Sequence, residues 1–298
     1  MNEGTYFVEL ESQGVLEITG SDNVNFLQGL VSNDVETVRQ DRAVYSAFLT
    51  PQGKFLYDFI ISTDDGKRLF LECDRTGLTE FKAKLDIYKL RSQVELRDRS
   101  NEFRVYAVYG QNALNFFDLP EIPGAVETFQ NGQAMVDPRL HELGARIRLP
   151  ASTPLDGLEL ARGSMSAYDE LRISMGVPDG VHDMQREKTI LLEAGFDELN
   201  GISWDKGCYM GQELTARTKY RGLIKRRLIP CKFTGPAPSP GMQITFRDKE
   251  AGQVRSVAGR HVLALLRLNI IENVAKDNAA LSAGKSSMIP MKPKWGNF

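Results

Sequence analysis

Cysteine and histidine are scarce in this sequence, and neither is spaced as metal ligands usually are. Three of the 298 residues are cysteines, at positions 73, 208 and 231, and three are histidines. No Cys-x-x-Cys pair and no His-Glu-x-x-His pattern occurs. A zinc knuckle and a self-contained four-cysteine iron–sulfur site therefore have no motif in their favour.

Familiar nucleotide and hydrolase motifs are absent as well. The chain contains no Gly-x-Gly-x-x-Gly, no Gly-x-x-x-x-Gly-Lys-[Ser/Thr] and no Gly-x-Ser-x-Gly. Dinucleotide binding, nucleoside triphosphate binding and serine hydrolysis thus have no support from a motif.

Charge and hydropathy give no sign of a nucleic acid or a membrane as partner. Lys plus Arg number 37 against 39 for Asp plus Glu, a formal net charge of −2, so no basic excess draws the chain to nucleic acid. Apolar runs such as 262–266 are far shorter than the roughly 20 residues that span a bilayer. The first residues lack the basic and apolar segments of a secretory signal. We therefore expect a cytoplasmic protein that binds neither membrane nor nucleic acid directly.

Hydrophobic patterning predicts an α+β protein in three parts. Residues 1–100 form a mixed α/β domain. Strand patterns at 45–49, 55–61 and 68–72 are joined by short turns, which is typical of an antiparallel meander. Residues 78–90 have the apolar spacing of an amphipathic helix.

The remaining two parts are a middle α+β domain and a small barrel. Residues 101–222 alternate strand and helix patterns, with one helix predicted over 111–117. Residues 223–298 contain short strand patterns between Pro, Gly and Ser turns, which favours a small β-barrel. The tail after Lys276 is polar and interrupted by proline, so we expect it to pack loosely.

The densest group of chemically capable residues is the run Lys206-Gly-Cys-Tyr-Met-Gly-Gln-Glu213. Gly207 and Gly211 permit the positive φ of a sharp turn, and a helix is predicted to begin at Gln212. Cys208 then lies just before a helix N-terminus and close in sequence to Lys206, and both features favour the nucleophilic, metal-binding thiolate.

A structural interpretation has to be weighed against this functional one. A lone cysteine is more often a small buried hydrophobe than a nucleophile, and we accept that interpretation for Cys73 and Cys231, which fall in strand patterns. A basic cluster after the predicted helix is most simply a solvated face, although an anionic ligand or an RNA backbone could use it. It consists of Lys219, Arg221, Lys225, Arg226 and Arg227.

The run 206–213 resembles the signature Lys-Gly-Cys-[Phe/Tyr/Trp]-x-Gly-Gln-Glu of the YgfZ family, folate-binding relatives of the glycine-cleavage T-protein. The continuation 214–228 resembles in particular the branch with the mitochondrial iron–sulfur assembly homologue. Further family patterns follow in order: Phe-Leu-Gln-Gly-Leu…Asn-Asp at 26–34, Phe-Leu-Thr-Pro-Gln-Gly-Lys…Asp at 48–58, and Gly-Gln-Val-Arg-Ser-Val from 252. The resemblance covers roughly residues 10 to 270.

This resemblance implies a three-domain ring around a central hole, with a ferredoxin-like middle layer and a C-terminal barrel. Tetrahydrofolate is the implied ligand of the hole. The implied role is the assembly or maintenance of [4Fe–4S] proteins, including tRNA-modifying radical-SAM enzymes, with a scaffold or client apoprotein as partner. By resemblance, the chemistry falls to Cys208 and Lys206, and the folate-binding set is Asp58, Arg172, Glu193, Tyr209, Gln212, Glu213 and Arg221.

Two departures from the T-protein pattern bear on the reaction. Where those relatives carry an acidic pair, this chain has only Asp58. Their Arg-Leu-Glu-Ala-Gly motif aligns with 172–176 and puts Ser174 where a pterin-binding glutamate is expected, and a serine cannot accept the paired donors of a pterin. Glu193 replaces that acid only if its loop reaches the ligand, and Arg221 is the expected cation for the glutamate tail.

Three functions stay open at this point. The first is an iron–sulfur assembly factor that uses Cys208, and the second is a tetrahydrofolate-dependent aminomethyltransferase-like enzyme. The third is a binding module that recognises an iron–sulfur scaffold or apoprotein without chemistry. With three cysteines, the chain is expected to hold no stable cluster of its own, since a [4Fe–4S] cluster usually takes four thiolates. Whether it is an enzyme is left undecided by the sequence.

Overall fold

The computed structural model describes residues 4–153, 155 and 160–297, which form three β-structures with short helices around them. The strands are β1 (Thr5–Glu9), β2 (Gln13–Thr19), β3 (Val44–Leu49), β4 (Phe55–Ser62), β5 (Leu69–Asp74), β6 (Glu95–Asp98), β7 (Phe103–Gly110), β8 (Val126–Phe129), β9 (Gly132–Val136), β10 (Ala145–Pro150), β11 (Ala161–Arg162), β12 (Arg226–Thr234), β13 (Gln243–Phe246), β14 (Lys249–Ala258), β15 (His261–Arg267), β16 (Leu281–Ala283) and β17 (Ser286–Pro290). The α-helices are α1 (Asn23–Gln28), α2 (Leu78–Lys89), α3 (Met165–Ser174), α4 (Gly180–Asp183), α5 (Gln212–Tyr220) and α6 (Leu268–Lys276). No helix of the described residues is long and apolar enough to cross a membrane.

The first sheet has five strands in the order β3-β4-β5-β2-β6. Its first three strands are consecutive in the chain, which confirms the predicted meander. Every residue of β3 is buried, as expected where a continuous apolar run forms a strand covered on both faces. Phe81 of α2 stacks on the rings of Tyr57 and Phe59 from β4, so the predicted helix supplies the cover of one face.

The second sheet has six strands in the order β11-β1-β7-β10-β9-β8. Strand β1 lies between β11 and β7, a position that the sequence pattern did not reveal. The helix predicted over 111–117 is wrong: only a single 3-10 turn, Asn115–Phe117, forms there. Asp118 ends that turn with φ 54°. So short a segment forms too few hydrogen bonds to offset the free energy of helix nucleation.

The C-terminal part is a closed barrel in the order β12-β15-β14-β13-β16-β17, which confirms the predicted α+β class with a terminal barrel. The expectation of a loosely packed tail is wrong, because β16 and β17 complete the barrel. Beyond β17, Nε1 of Trp295 donates a hydrogen bond of 2.8 Å to the carbonyl oxygen of Met175. Closure leaves the barrel without unpaired strand edges, and this explains why the polar tail is ordered.

The chain divides into two compact units. One comprises Met1–Thr50, Leu56–Met165 and Asn200–Met210, and the other comprises Pro51–Phe55, Ser166–Leu199 and Gly211–Phe298. The boundary falls inside the signature run, between its methionine and its second glycine. The division into parts 1–100, 101–222 and 223–298 stays a prediction.

Candidate functional site

Cys208 is presented at the surface, whereas the other two cysteines are not. Cys73 in β5 and Cys231 in β12 are buried, and Cys208 is exposed in the loop before α5. Burial raises the pKa of both the Cys73 and the Cys231 thiol, which keeps them protonated and inert. Cys208 is therefore the cysteine that can meet a partner or a substrate.

Lys206, two residues before Cys208, anchors this loop. Its Nζ atom donates hydrogen bonds to the carbonyl oxygens of Val31, at 2.8 Å, and Asn33, at 2.7 Å, and lies 5.3 Å from the ring centroid of Tyr209. Burial lowers the pKa of Lys206 to about 8, while the nearby carboxylate of Asp34 opposes that shift. The ammonium group is thus occupied by backbone oxygens, and Lys206 acts on Cys208 by positioning the loop.

Further hydrogen bonds fix the same loop to the segment after α1. The Ser203 N–H donates to the carbonyl oxygen of Ser32 at 3.0 Å, and the Met210 N–H donates to that of Gly29 at 3.1 Å. The Ser32 hydroxyl in turn donates to the carbonyl oxygen of Gly201 at 2.6 Å. Cys208 therefore projects from a loop that is held at both ends.

Sequence reasoning did not identify the segment after α1, which anchors the loop, as part of the site. The sequence did contain an indication of it, because residues 26–34 carry the first of the family patterns that accompany the signature. The atoms that matter there are mostly backbone carbonyls, however, and a sequence pattern does not indicate their direction.

The second half of the signature begins helix α5. Gly211 stands at the helix N-cap with φ 82°, a conformation that glycine adopts without strain. Gln212 is half-buried and Glu213 is exposed in the first turn, and Arg221 is exposed at the C-cap. The helix contacts the 3-10 turn Leu191–Ala194, which carries Glu193.

Asp58 is the half-buried residue of β4. The Tyr45 hydroxyl donates a hydrogen bond of 2.9 Å to its Oδ2 atom. Burial, together with the negative charge of Asp58, raises the pKa of Tyr45 well above its usual value. Tyr45 therefore stays a neutral donor and orients the Asp58 carboxylate.

Arg172 lies in a buried ion-pair network. Its guanidinium donates to Asp169 at 2.6 Å and to Asp183 at 2.8 Å, and Asp183 also accepts a short hydrogen bond from Ser256 in β14. Burial raises the pKa of Asp183. Through Asp183, Arg172 links α3 and α4 to the barrel, and its assignment to the folate-binding set stays a prediction.

Ser174 is equally engaged, since its hydroxyl donates to the carbonyl oxygen of Leu171 at 2.7 Å within α3. Residues 192–195 read Leu-Glu-Ala-Gly, so the chain carries a similar pattern with an acid at Glu193. The alignment that puts Ser174 at the position of the T-protein acid stays a prediction.

Glu193 is a buried carboxylate with one oxygen in use. Its side chain is 7% exposed, and its Oε1 accepts a hydrogen bond of 3.1 Å from Nε of Arg226. A carboxylate can accept paired donors such as those of a pterin, and the assignment of Glu193 to a folate stays a prediction.

No group of three or more His, Cys, Asp or Glu side chains within the described ranges is arranged to hold a metal ion. Within the described residues, Cys208 therefore does not belong to a group of side chains that could bind a metal ion.

Comparison with known proteins places this chain in a family. Residues 1–118 match the model of the GCVT N-terminal domain, and residues 225–298 match that of the CAF17 C-terminal beta-barrel domain. The mouse iron–sulfur cluster assembly factor IBA57, mitochondrial, is 33% identical over 88% of this chain and 78% of its own length. The chain belongs to the IBA57 family.

Other IBA57 proteins match in the same way. The human protein is 32% identical over 86% of this chain and 76% of its own length. The Neurospora crassa homologue is 32% identical over 77% of this chain, which spans 54% of that protein. The expected likeness to the branch with the mitochondrial iron–sulfur assembly homologue is thereby confirmed.

A solved structure of low sequence identity confirms the fold. Glycine cleavage system aminomethyltransferase T from Bartonella henselae superposes with a TM-score of 0.77 over 97% of this chain and 85% of its own, at 16% identity. The T-protein-like fold expected from the resemblance is therefore present.

The relatives also correct one expectation. The mouse, human and Neurospora proteins are all named as mitochondrial, so the prediction of a cytoplasmic protein is wrong and the family points to the mitochondrion. The argument failed because net charge and hydropathy do not distinguish the cytoplasm from an organelle.

Proposed function

We propose that this protein is an accessory factor in the assembly or maintenance of iron–sulfur proteins, and that Cys208 contacts the cluster as its cargo. The observation that carries the proposal is the exposed Cys208 on a loop anchored by Lys206, in a family whose members are named iron–sulfur cluster assembly factors. A thiolate is the ligand that iron–sulfur clusters take from proteins.

The contact that we propose is a shared one. Cys208 supplies one thiolate, and the partner, an iron–sulfur scaffold or a client apoprotein, supplies the others. A single protein ligand gives little chelate advantage, so the cluster is released to the client easily. The anchored loop keeps Cys208 in one position, which lowers the entropy cost of forming the bridged complex.

A more specific proposal, on the subfamily and the client proteins, rests on the signature at 206–213. We propose that the chain is close to the YgfZ type, and that its clients are [4Fe–4S] enzymes, including radical-SAM enzymes that modify tRNA. Tyr209, Gln212 and Glu213 belong to that signature, and their proposed part is to shape the surface around Cys208 that the client meets.

Folate binding is a separate part of the proposal. Glu193 would accept the paired donors of the pterin, while Arg221 is the exposed cation for the glutamate tail. When bound, a tetrahydrofolate supplies nitrogen atoms that carry one-carbon units. Aminomethyl transfer is the alternative function, and the loss of one acid of the pair beside Asp58 argues against it.

An anaerobic maturation assay tests the main proposal. An apo [4Fe–4S] client is incubated with iron, a sulfide source and the purified protein, and client activity is followed with the Cys208→Ser and Asp205→Asn variants. Asp205 is an exposed neighbour in the same loop and serves as the matched control. We expect maturation to fail with Cys208→Ser alone. Full activity of Cys208→Ser would leave the chain as a binding module without chemistry.

A further inference from the structure

Three arginines share one cavity on the wall of the barrel formed by β12, β15 and β14. The cavity has a volume of about 280 Å³ and is lined by Arg226 of β12, Arg255 of β14 and Arg267 of β15. Gln243, Gln253 and Glu250 also line it. It therefore combines three guanidinium groups with two amide side chains and one carboxylate.

The arginines are placed where they repel one another. Arg226 and Arg267 are direct partners in the antiparallel pairing of β12 with β15, and like charges directly opposite each other destabilise a sheet. Arg255 sits at the point where the register between β14 and β15 shifts. Burial, together with the positive charge of Arg226, lowers the pKa of Arg255.

The neighbouring carboxylates neutralise only part of this charge. Glu193 binds Arg226, and Glu250 binds Arg267 at 3.3 Å. The carboxylates of Asp183 and Glu193 also act on Arg255 and oppose the lowering of its pKa, but Arg255 forms no hydrogen bond or ion pair within the described part of the chain, and its Nε atom is buried without a partner. An unpaired guanidinium with a buried donor costs free energy that a ligand oxygen would recover.

The backbone keeps the cavity open. Gly252 lines it, and a Cβ at that position would collide with the carbonyl oxygen of Leu265. Glycine is therefore required by the close approach of β14 to β15, and no side chain from that position fills the space between the arginines.

We propose that this cavity binds a phosphate-type oxyanion, either free phosphate or the phosphoryl group of a small metabolite. Guanidinium groups present planar donor forks that match the oxygens of phosphate. The volume is just below the range of ligand pockets, which run from about 300 to 1,000 Å³, so it suits one oxyanion group. The positive charge left on Arg255 is balanced when the anion binds.

Calorimetric titration of the full chain at constant ionic strength tests this site. The probes are inorganic phosphate, glycerol phosphate and glutamate, and the variants are Arg255→Gln, Arg267→Gln and Lys232→Gln. Lys232 is an exposed cation of β12 that does not line the cavity, so it is the matched control. We expect saturable phosphate binding that Arg255→Gln weakens roughly ten- to a hundred-fold and Lys232→Gln leaves unchanged.

The probes separate the sources of the anion. Tighter binding of glycerol phosphate than of inorganic phosphate supports a phosphorylated metabolite, and the reverse order supports free phosphate. Glutamate binding without phosphate binding, or equal phosphate binding by wild type, Arg255→Gln and Arg267→Gln, overturns the proposal. Arg267 is exposed, so its variant keeps the test valid if Arg255→Gln unfolds. Cys208→Ser should bind phosphate normally, which makes this result independent of the proposed function.

Discussion

Gly53 lies directly against Gly211, although the two are far apart in the sequence. A Cβ on Gly53 would stand 2.7 Å from the carbonyl oxygen of Gly211 and 2.9 Å from Cβ of Leu214. Both glycines have positive φ, 68° and 82°. The turn after β3 therefore packs on the first turn of α5 through backbone atoms, and two sequence patterns of the family meet at this contact.

Gly53→Ala should destabilise the protein more than Gly66→Ala does. Gly66 has φ 72° with open space around it, so Gly66→Ala should lose only the stability that the left-handed conformation costs an alanine, about 1–2 kcal/mol. Gly53→Ala should lose that amount and more, because its Cβ also forces the backbone of Gly211 to move. Urea unfolding of both variants measures the difference, and equal losses would contradict the close contact.

The stability contributed by Lys206 should depend on pH above neutrality. Its pKa is about 8 in the folded protein and 10.5 ordinarily, so between these values the unfolded chain holds a proton that the folded protein has lost. Stability then rises with pH across this window. In Lys206→Met the titrating group is gone, so the stability of the wild type relative to the variant should grow from pH 8 towards 10.5.

Lys206→Met should also be less stable at every pH, by about 1–3 kcal/mol, because the carbonyls of Val31 and Asn33 lose their donor. Lys225→Met, which removes an exposed ammonium, is the control and should change neither the free energy of unfolding nor its dependence on pH. A difference in unfolding free energy between wild type and Lys206→Met that becomes smaller as pH rises would contradict the lowered pKa of Lys206.

The isolated protein should be colourless when purified without oxygen. An iron–sulfur chromophore should form only with a scaffold or client, vanish in Cys208→Ala and persist in Asp205→Asn, as followed by visible absorption. A stoichiometric cluster in the isolated protein that survives in Cys208→Ala would overturn the shared-ligand proposal.

Serine substitutions should divide the cysteines into two classes. Cys208→Ser should leave the midpoint of thermal unfolding nearly unchanged, because the side chain is exposed. Cys231→Ser places a hydroxyl in the barrel core and should cost about 1–3 kcal/mol. A large stability loss in Cys208→Ser would indicate a packing role instead of a cluster contact.

Tetrahydrofolate and 5-formyl-tetrahydrofolate titrations test the folate part of the proposal. Glu193→Gln should weaken binding roughly ten- to a hundred-fold, since it removes a charge-assisted hydrogen bond. Ser174→Ala should have no effect, because its hydroxyl is committed within α3. Affinity that survives Glu193→Gln would show that the pterin does not bind at this acid.

Sequence reasoning did not reveal contacts between residues that are far apart in the chain. The residues of β10 alternate as Arg-Ile-Arg-Leu, and Arg146 and Arg148 are both buried. Arg146 binds Glu72 at 3.2 Å and Arg148 binds Gln133. Period-two patterning reveals which residues share a face of a strand, and a second sheet packed on that face then determines what they contact.

What the sequence determined by itself is the part encoded locally. Hydrophobic spacing was sufficient for the meander, for helix α2 and for the barrel strands before Lys276, and the signature run was sufficient for the start of α5. Only the tertiary structure decided which side-chain contacts those elements make. It placed Lys206 on carbonyls up to 175 residues away, tied Arg172 to Asp183, and joined Glu193 to Arg226. The physical reason is that hydrophobic periodicity depends on residues that are close in the sequence, whereas the partner of a buried charge depends on packing between segments that are far apart in the sequence.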